Sequence, residues 1–361
     1  MAYTTIDDPS KHFNTLLYTG KGDEQTIIGT GFKPDWIWAK SRSNSHYHDL
    51  RDSTRGVDER LVSNESDAAG TKDQSYVSFD SDGFSLGDDT DANGDALNTV
   101  NTAGNNYVAW QWKANGGTTT TNDASATSIG SLDSVYQANT TAGFSIVTYT
   151  GAGGNQTIAH GLGAVPNLIF IKRRDDAGDW TSYHSVLGNE KYMRLNSTNG
   201  MGDQATYFND TTPTSTVFTV GSAGDVNTST GTHVAYCFTE IQGYSKFGKY
   251  VGNGGEPNGP FVYLGFKPAW LMIKASSEDG QAGFINDSKR DPTNEITKRL
   301  FPNTSGAEGE ASGDNNLDYL SNGFRITTQD DGLNKDGVTY IYMAFAESPF
   351  VTSNETPNNA R

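Results

Sequence analysis

The sequence predicts an all-β protein of three tandem β-sandwich-like domains (jelly-roll or lectin-like), and three observations carry that prediction. The 361 residues include 41 glycines among many Thr, Ser, Asn and Asp, a composition of short strands joined by turns. No stretch keeps apolar residues at i, i+3, i+4 and i+7 over three turns, so long helices are not expected. One ordered set of landmarks occurs three times, the mark of tandem repeats.

Each copy opens on a tyrosine followed by glycine: "LLYTGKG" at Tyr18, "IVTYTGAGG" at Tyr149 and "GKYVGNGG" at Tyr250. A proline follows in "GFKPDWIWAK" (Pro34), "GAVPNLIFIK" (Pro166) and "GFKPAWLMIK" (Pro268), each with a lysine six residues on: Lys40, Lys172 and Lys274. Next come "RLVSN" (60–64), "MRLNST" (193–198) and "RLFPNTS" (299–305), then "DGFSLG" (82–87), "STVFTVG" (215–221) and "NGFRIT" (322–327). A closing strand ends each copy: "YVAWQWK" (107–113), "HVAYCFT" (233–239) and "YIYMAFA" (340–346). The divisions read from these landmarks are a 1–12 N-terminal attachment segment, domains over 13–113, 144–240 and 244–347, and a tail over 348–361. Between the first two domains, 114–143 is rich in Gly, Thr and Ser and reads as a linker. Within it, "IGSLDSVYQAN" is either a short helix or a docked segment. Only "IQG" separates the second and third copies, which are expected to pack closely while the first sits apart.

In the closing strand apolar residues alternate, as in Val108, Trp110 and Trp112, which predicts a strand half-buried on one core. The strand after each proline has no polar side: Trp36 and Trp38 alternate with Ile37 and Ala39, and copies two and three repeat the pattern. Such a strand, a keel to its domain, is covered on both faces. A two-layer sandwich covers one. The second face therefore calls for a long loop, a sister domain or another subunit. Proline at a strand start costs no ladder donor, and the recurrent lysine is expected to end the strand.

The formal net charge of −17 repels phosphate backbones and anionic membranes, so nucleic-acid binding is not expected. No run of apolar residues is long enough to span a membrane. The N-terminus has no basic region followed by an apolar core, so no signal peptide is expected. Cys237, the only cysteine, excludes an intrachain disulfide and reads as a small core residue.

Chemistry is sparse. In "DDTDANGDALN", Asp89, Asp91, Asn93 and Gly94 carry the start of a calcium loop, D-x-D-x-N-G, with Asp89, Asp91, Asn93 and Asp95 as the candidate ligands, but Val100 stands where the bidentate glutamate belongs. A solvated acidic hairpin competes with calcium there, and again in "QDDGLNKDG" (329–337). His46 and His48 have a zinc-compatible spacing without a third ligand. Trp180, Tyr183 and His184 are glycan-stacking candidates, weighed against rings that pad their own loop. No P-loop or H-E-x-x-H motif is present, and no carboxylate pair is set apart by its surroundings. A non-enzymatic protein without catalytic or cofactor-binding residues is expected.

The run "GFKPDWIWAK…DSTRG…LVSN…SFDSDGFSLG…NNYVAWQWKANGG" after "MAYTTIDDPSKHFNTLLYTG" resembles a repeat domain of unknown function. It occurs in tail-fibre-like and structural virion proteins of marine bacteriophages, such as those of cyanobacteria and abundant ocean bacteria. The resemblance spans nearly the whole chain and implies a component of the phage particle, assembled in the host cytoplasm, with other virion proteins as partners. Tail fibre or tail-associated protein is the first reading and capsid decoration protein the second. By analogy with fibres it implies a homotrimer, and contact with host surface glycans is a further expectation. The rivals are a glycan-binding or depolymerase module and a secreted adhesin.

Overall fold

The computed structural model describes residues 3–71, 75–89, 99–310 and 316–358. Every copy contains the same four-strand unit, in the order first strand, closing strand, keel, outer strand. In copy one these are Phe13–Thr19, Asn106–Trp112, Trp36–Ser41 and Asp49–Asp52. In copy two they are Phe144–Thr150, Thr232–Phe238, Leu168–Arg173 and Thr181–His184, and in copy three Ser245–Val251, Thr339–Pro349, Phe266–Ala275 and Phe284–Asp287. All pairings between them are antiparallel. A small second sheet lies over one face: Gln25–Ile28 with Gly83–Leu86 and Tyr76–Asp80, then Gln156–Ala159 with Val217–Val220, then Phe261–Tyr263 with Gly323–Ile326 and Leu317–Leu320. Each copy is thus the expected sandwich. Among the described residues no helix is long and apolar enough to cross a membrane.

Both faces of each keel are buried, as its sequence requires. Ile37 and Ala39 face the copy's own small sheet, as do Ile169 with Ile171 and Leu271 with Ile273. Trp36, Trp38, Leu168, Phe170, Trp270 and Met272 enter one core shared by all three copies. At its centre Phe345 packs against Trp112 and Phe238, its counterparts in the other copies, at 5.6 and 6.0 Å between ring centroids. Trp36 stacks on Tyr236 of copy two at 4.5 Å. The sister copies therefore supply the cover that the keel demands, and the first copy does not sit apart. The closing strand is also buried on both faces, because it lies between first strand and keel under the same two layers. Pro34 and Pro166 precede their keels, whereas Pro268 sits inside its strand at a bulge, where a ladder tolerates it. Each strand runs one residue past its lysine.

The stretch 114–143 differs from the linker reading. Ser134–Asn139 pairs along the first strand of copy two, and Thr120–Asn122 pairs with it in turn. "SVYQAN" alternates well enough to add a strand despite its polar surroundings. Residues 3–12 lie across copy three: the Tyr3 hydroxyl donates to the Gly265 carbonyl at 2.8 Å, Thr4 donates to Gln242, and Ile6 joins the shared core. The tail folds back, with Asn358 donating to the Ser321 carbonyl.

Candidate functional site

Two constructions recur in all three copies and use the repeated Tyr, Asn and Lys. The first is a corner where the opening hairpin meets the closing strand. The hydroxyls of Tyr18, Tyr149 and Tyr250 donate to the carbonyls of Val100, Val226 and Leu333 at 2.9, 2.6 and 2.7 Å. Each ring stacks on the start of the closing strand, against Tyr107, His233 and Tyr340 respectively. The residue after each carbonyl is a fully buried asparagine: Asn101, Asn227 and Asn334. Its side-chain oxygen accepts from the backbone N–H of Lys21, Ala152 or Asn253. Its amide donates to two backbone carbonyls, tying the opening hairpin to the loop before the closing strand. The glycine after each tyrosine motif is needed here, because a Cβ on Gly20, Gly151 or Gly252 would lie 2.3–2.4 Å from a backbone oxygen of the returning chain. The tyrosine–glycine signal was visible in the sequence. The asparagine was not, although "TVN", "DVN" and "GLN" ahead of each closing strand spell it.

The second construction is the contact from each copy to the next. The N–H of Ala69 in copy one donates to Arg174 O in copy two, Met201 in copy two to Ser276 in copy three, and Glu308 in copy three to Arg42 in copy one, at 2.7–3.0 Å. The acceptor in each case stands two residues past the repeated lysine. The same head-to-tail contact closes after three steps, so the chain forms a ring with pseudo-threefold symmetry. Lys40, Lys172 and Lys274 point toward these seams. Burial pulls each amine down to about 8, and backbone carbonyls take its hydrogen bonds.

One position treats the three seams differently. Asp52 ("DSTRG") pairs with Arg55 at 2.5 Å, both side chains fully buried, and accepts from the Tyr236 hydroxyl of copy two at 2.7 Å. Asp287 ("DSKRD") pairs with buried Arg290 at 2.5 Å and accepts from the Trp110 indole of copy one at 2.9 Å. Arg290 also meets Glu308, which holds Arg42 of copy one in a two-pronged bond. In copy two the position is His184, whose ring nitrogen meets the Tyr342 carbonyl of copy three at 3.3 Å.

The residues singled out from the sequence sit as follows. Trp180, Tyr183 and His184 are buried, so no ring face is open to a sugar; the Trp180 indole donates to Val62 O of copy one across the first seam. A bulky apolar body with a polar tip serves a seam as well as a glycan, which is why the sequence left both readings open. Asp91, Asn93 and Asp95 lie outside the described residues. Asp89, in the left-handed region at φ 58°, is buried and accepts from the N–H groups of Thr99 and Asn101 and from the hydroxyl of Thr99. Its carboxylate thus ties the two ends of its loop together. Asp330 caps a single helical turn through the Gly332 N–H. The ring of His48 is held between the Trp38 indole and Phe301 O of copy three, apart from any cluster with His46. Among the described residues no three His, Cys, Asp or Glu side chains gather around one point. Cys237 is buried and burial raises its thiol well above the usual range.

The model of one protein family, described as a domain of unknown function (DUF7483), matches residues 8–349, and the chain belongs to that family. No curated protein and no solved structure matches.

Proposed function

We propose that this DUF7483 protein is a non-enzymatic structural component of a bacteriophage virion, most naturally a tail-fibre or tail-associated protein at the particle surface. The observation that carries the reading is that the thrice-repeated polar residues, Tyr, Asn and Lys alike, serve corners and seams. What the repetition preserves is a shape. The phage assignment itself comes from the sequence resemblance. The strongly acidic composition suits a soluble surface component. The expected homotrimer rests on the fibre analogy alone, since sister copies, and not another subunit, cover the second face of each keel.

One observation favours the second reading, a capsid decoration protein. A pseudo-threefold ring presents three related contact patches from one chain and suits a site of threefold symmetry. Antibody labelling of intact particles of a phage that encodes this chain tests both. Label at the tail is expected, label over the capsid lattice selects the second reading, and particles without the protein overturn both. Incubation with host envelope polysaccharide tests the non-enzymatic part, and shortening of the glycan chains would refute it.

A further inference from the structure

We propose that the seam from copy three to copy one is a docking groove for an extended strand of a partner polypeptide, added antiparallel to the free edge of Phe13–Thr19. The argument starts from the seam where such a strand is already present. In copy two the outward-facing backbone of Ile146 and Thr148 is paired with Gln137 and Val135 of the 134–139 strand. Gln137 reaches across the seam and donates to the Ser53 and Thr54 hydroxyls of copy one at 2.8 and 2.7 Å. Its oxygen accepts from the Gly117 N–H.

The repeat carries each of these positions to the other seams. Ser53, Ser185 and Ser288 are equivalent, each donating its N–H to the residue after the keel proline at 2.8 Å. Thr54, Val186 and Lys289 follow them. At the seam from copy two to copy three, the short connection through Ile241 pairs with Ser245, and Lys249 reaches to Val186 O. A lysine on an edge strand blocks further pairing. At the seam from copy three to copy one there is instead an open groove of about 400 Å³, lined by Phe13, Asn14 and Thr15 on one side and Ala269, Ser288 and Lys289 on the other. Bonds from Gly20 N to Asn105 O and from Lys113 N to His12 O place the even-numbered residues of this strand toward the closing strand. Thr15 and Leu17 therefore turn their backbone groups to the free edge. The Thr15 hydroxyl is buried in the groove with no hydrogen-bond partner among the described residues, where copy two has Ile146. Asn14 shields the Thr15 N–H with its side-chain oxygen at 2.9 Å, and an incoming strand displaces it.

The occupant is thus an extended segment with a Gln or Glu set to reach Ser288 and Lys289, bound by main-chain hydrogen bonds along one edge. The inference needs only the repeat and holds wherever in a particle the protein sits. A synthetic peptide with the sequence of residues 131–142 is the probe, added to the full chain at up to about 1 mM, the weak end of specific binding. Saturable binding is expected, with slowed hydrogen exchange at the Leu17 amide. Peptide Gln137→Ala should bind about tenfold more weakly, and protein Leu17→Pro, which removes an outward N–H, should abolish binding. Absent binding, binding unchanged by Leu17→Pro, or protection at Thr148 in place of Leu17 (exchange with the resident strand) would each overturn the proposal. The exchange readout uses the unaltered protein and stands even if Leu17→Pro fails to fold.

Discussion

The seams entering and leaving copy one differ from the seam between copies two and three. The first two each carry a fully buried Asp–Arg pair, at Asp52 and Asp287, bonded to an aromatic donor of the next copy. The third has His184 at that position, and beside it the side chains of Leu168, Met193, Met272 and Met343. The backbone contacts are the same at all three. The fold therefore does not require charge at the seam, in keeping with the near-neutral net value of many buried ion pairs. The two pairs differ in their partners: Asp52 is matched to a tyrosine and Asp287 to an indole.

The largest expected effect comes from breaking a pair on one side. Asp52→Ala strands Arg55 in the core and should cost about 3–5 kcal/mol in urea unfolding. Asp287→Ala should cost less, because Glu308 still meets Arg290. Importing copy two's solution, Asp52→His with Arg55→Leu, should recover most of the loss. A double variant as unstable as Asp52→Ala would show that the charge itself is needed.

Acid should act on both sides of the comparison, because burial also lowers His48, held between the Trp38 indole and Phe301 O at the seam from copy three to copy one. Burial lowers His184 to about 4, and likewise His160 and His233, all in copy two. A depressed histidine is neutral in the folded chain, so its contribution is complete above the unfolded value near 6.5 and is lost as pH falls toward about 4. Each is worth up to about 3 kcal/mol by that shift. Melting temperature measured from pH 7 to pH 4 should therefore fall, and His184→Asn should flatten part of the fall. An unchanged slope in the variant would remove His184 as a cause.

The corners are expected to respond alike in every copy. Gly151→Ala drives a Cβ against Thr228 O and should cost about 1–3 kcal/mol. Tyr149→Phe loses one buried hydrogen bond, about 1 kcal/mol. Tyr18→Phe and Tyr250→Phe should match it, and unequal losses would mean that the corners do not do equivalent work.

These contrasts explain what was legible in the sequence. Strand alternation and the recurring Tyr-Gly and proline landmarks are local, so the three sandwiches could be read directly. The doubly apolar keel announced a second cover without saying what it was, because an apolar face meets a sister copy or another subunit on equal terms. Asp52 and Asp287 looked like two more acidic residues, although "DSTRG" and "DSKRD" repeat at the same place. Trp180 and His184 resembled a binding surface since their partners, Val62 and Tyr342, lie 118 and 158 residues away. Of the candidate site, the corner tyrosines and glycines were legible, and the asparagines were hidden in loops of unequal length.

Among the contacts that close the ring is the hydrogen bond from the Trp110 indole in copy one to Asp287 in copy three, 177 residues apart. A double-mutant cycle with Asp287→Asn and Trp110→Phe measures it directly. Closure predicts a coupling of about 1–2 kcal/mol between the two substitutions, whereas effects that add to within about 0.5 kcal/mol would contradict this contact across the closing seam.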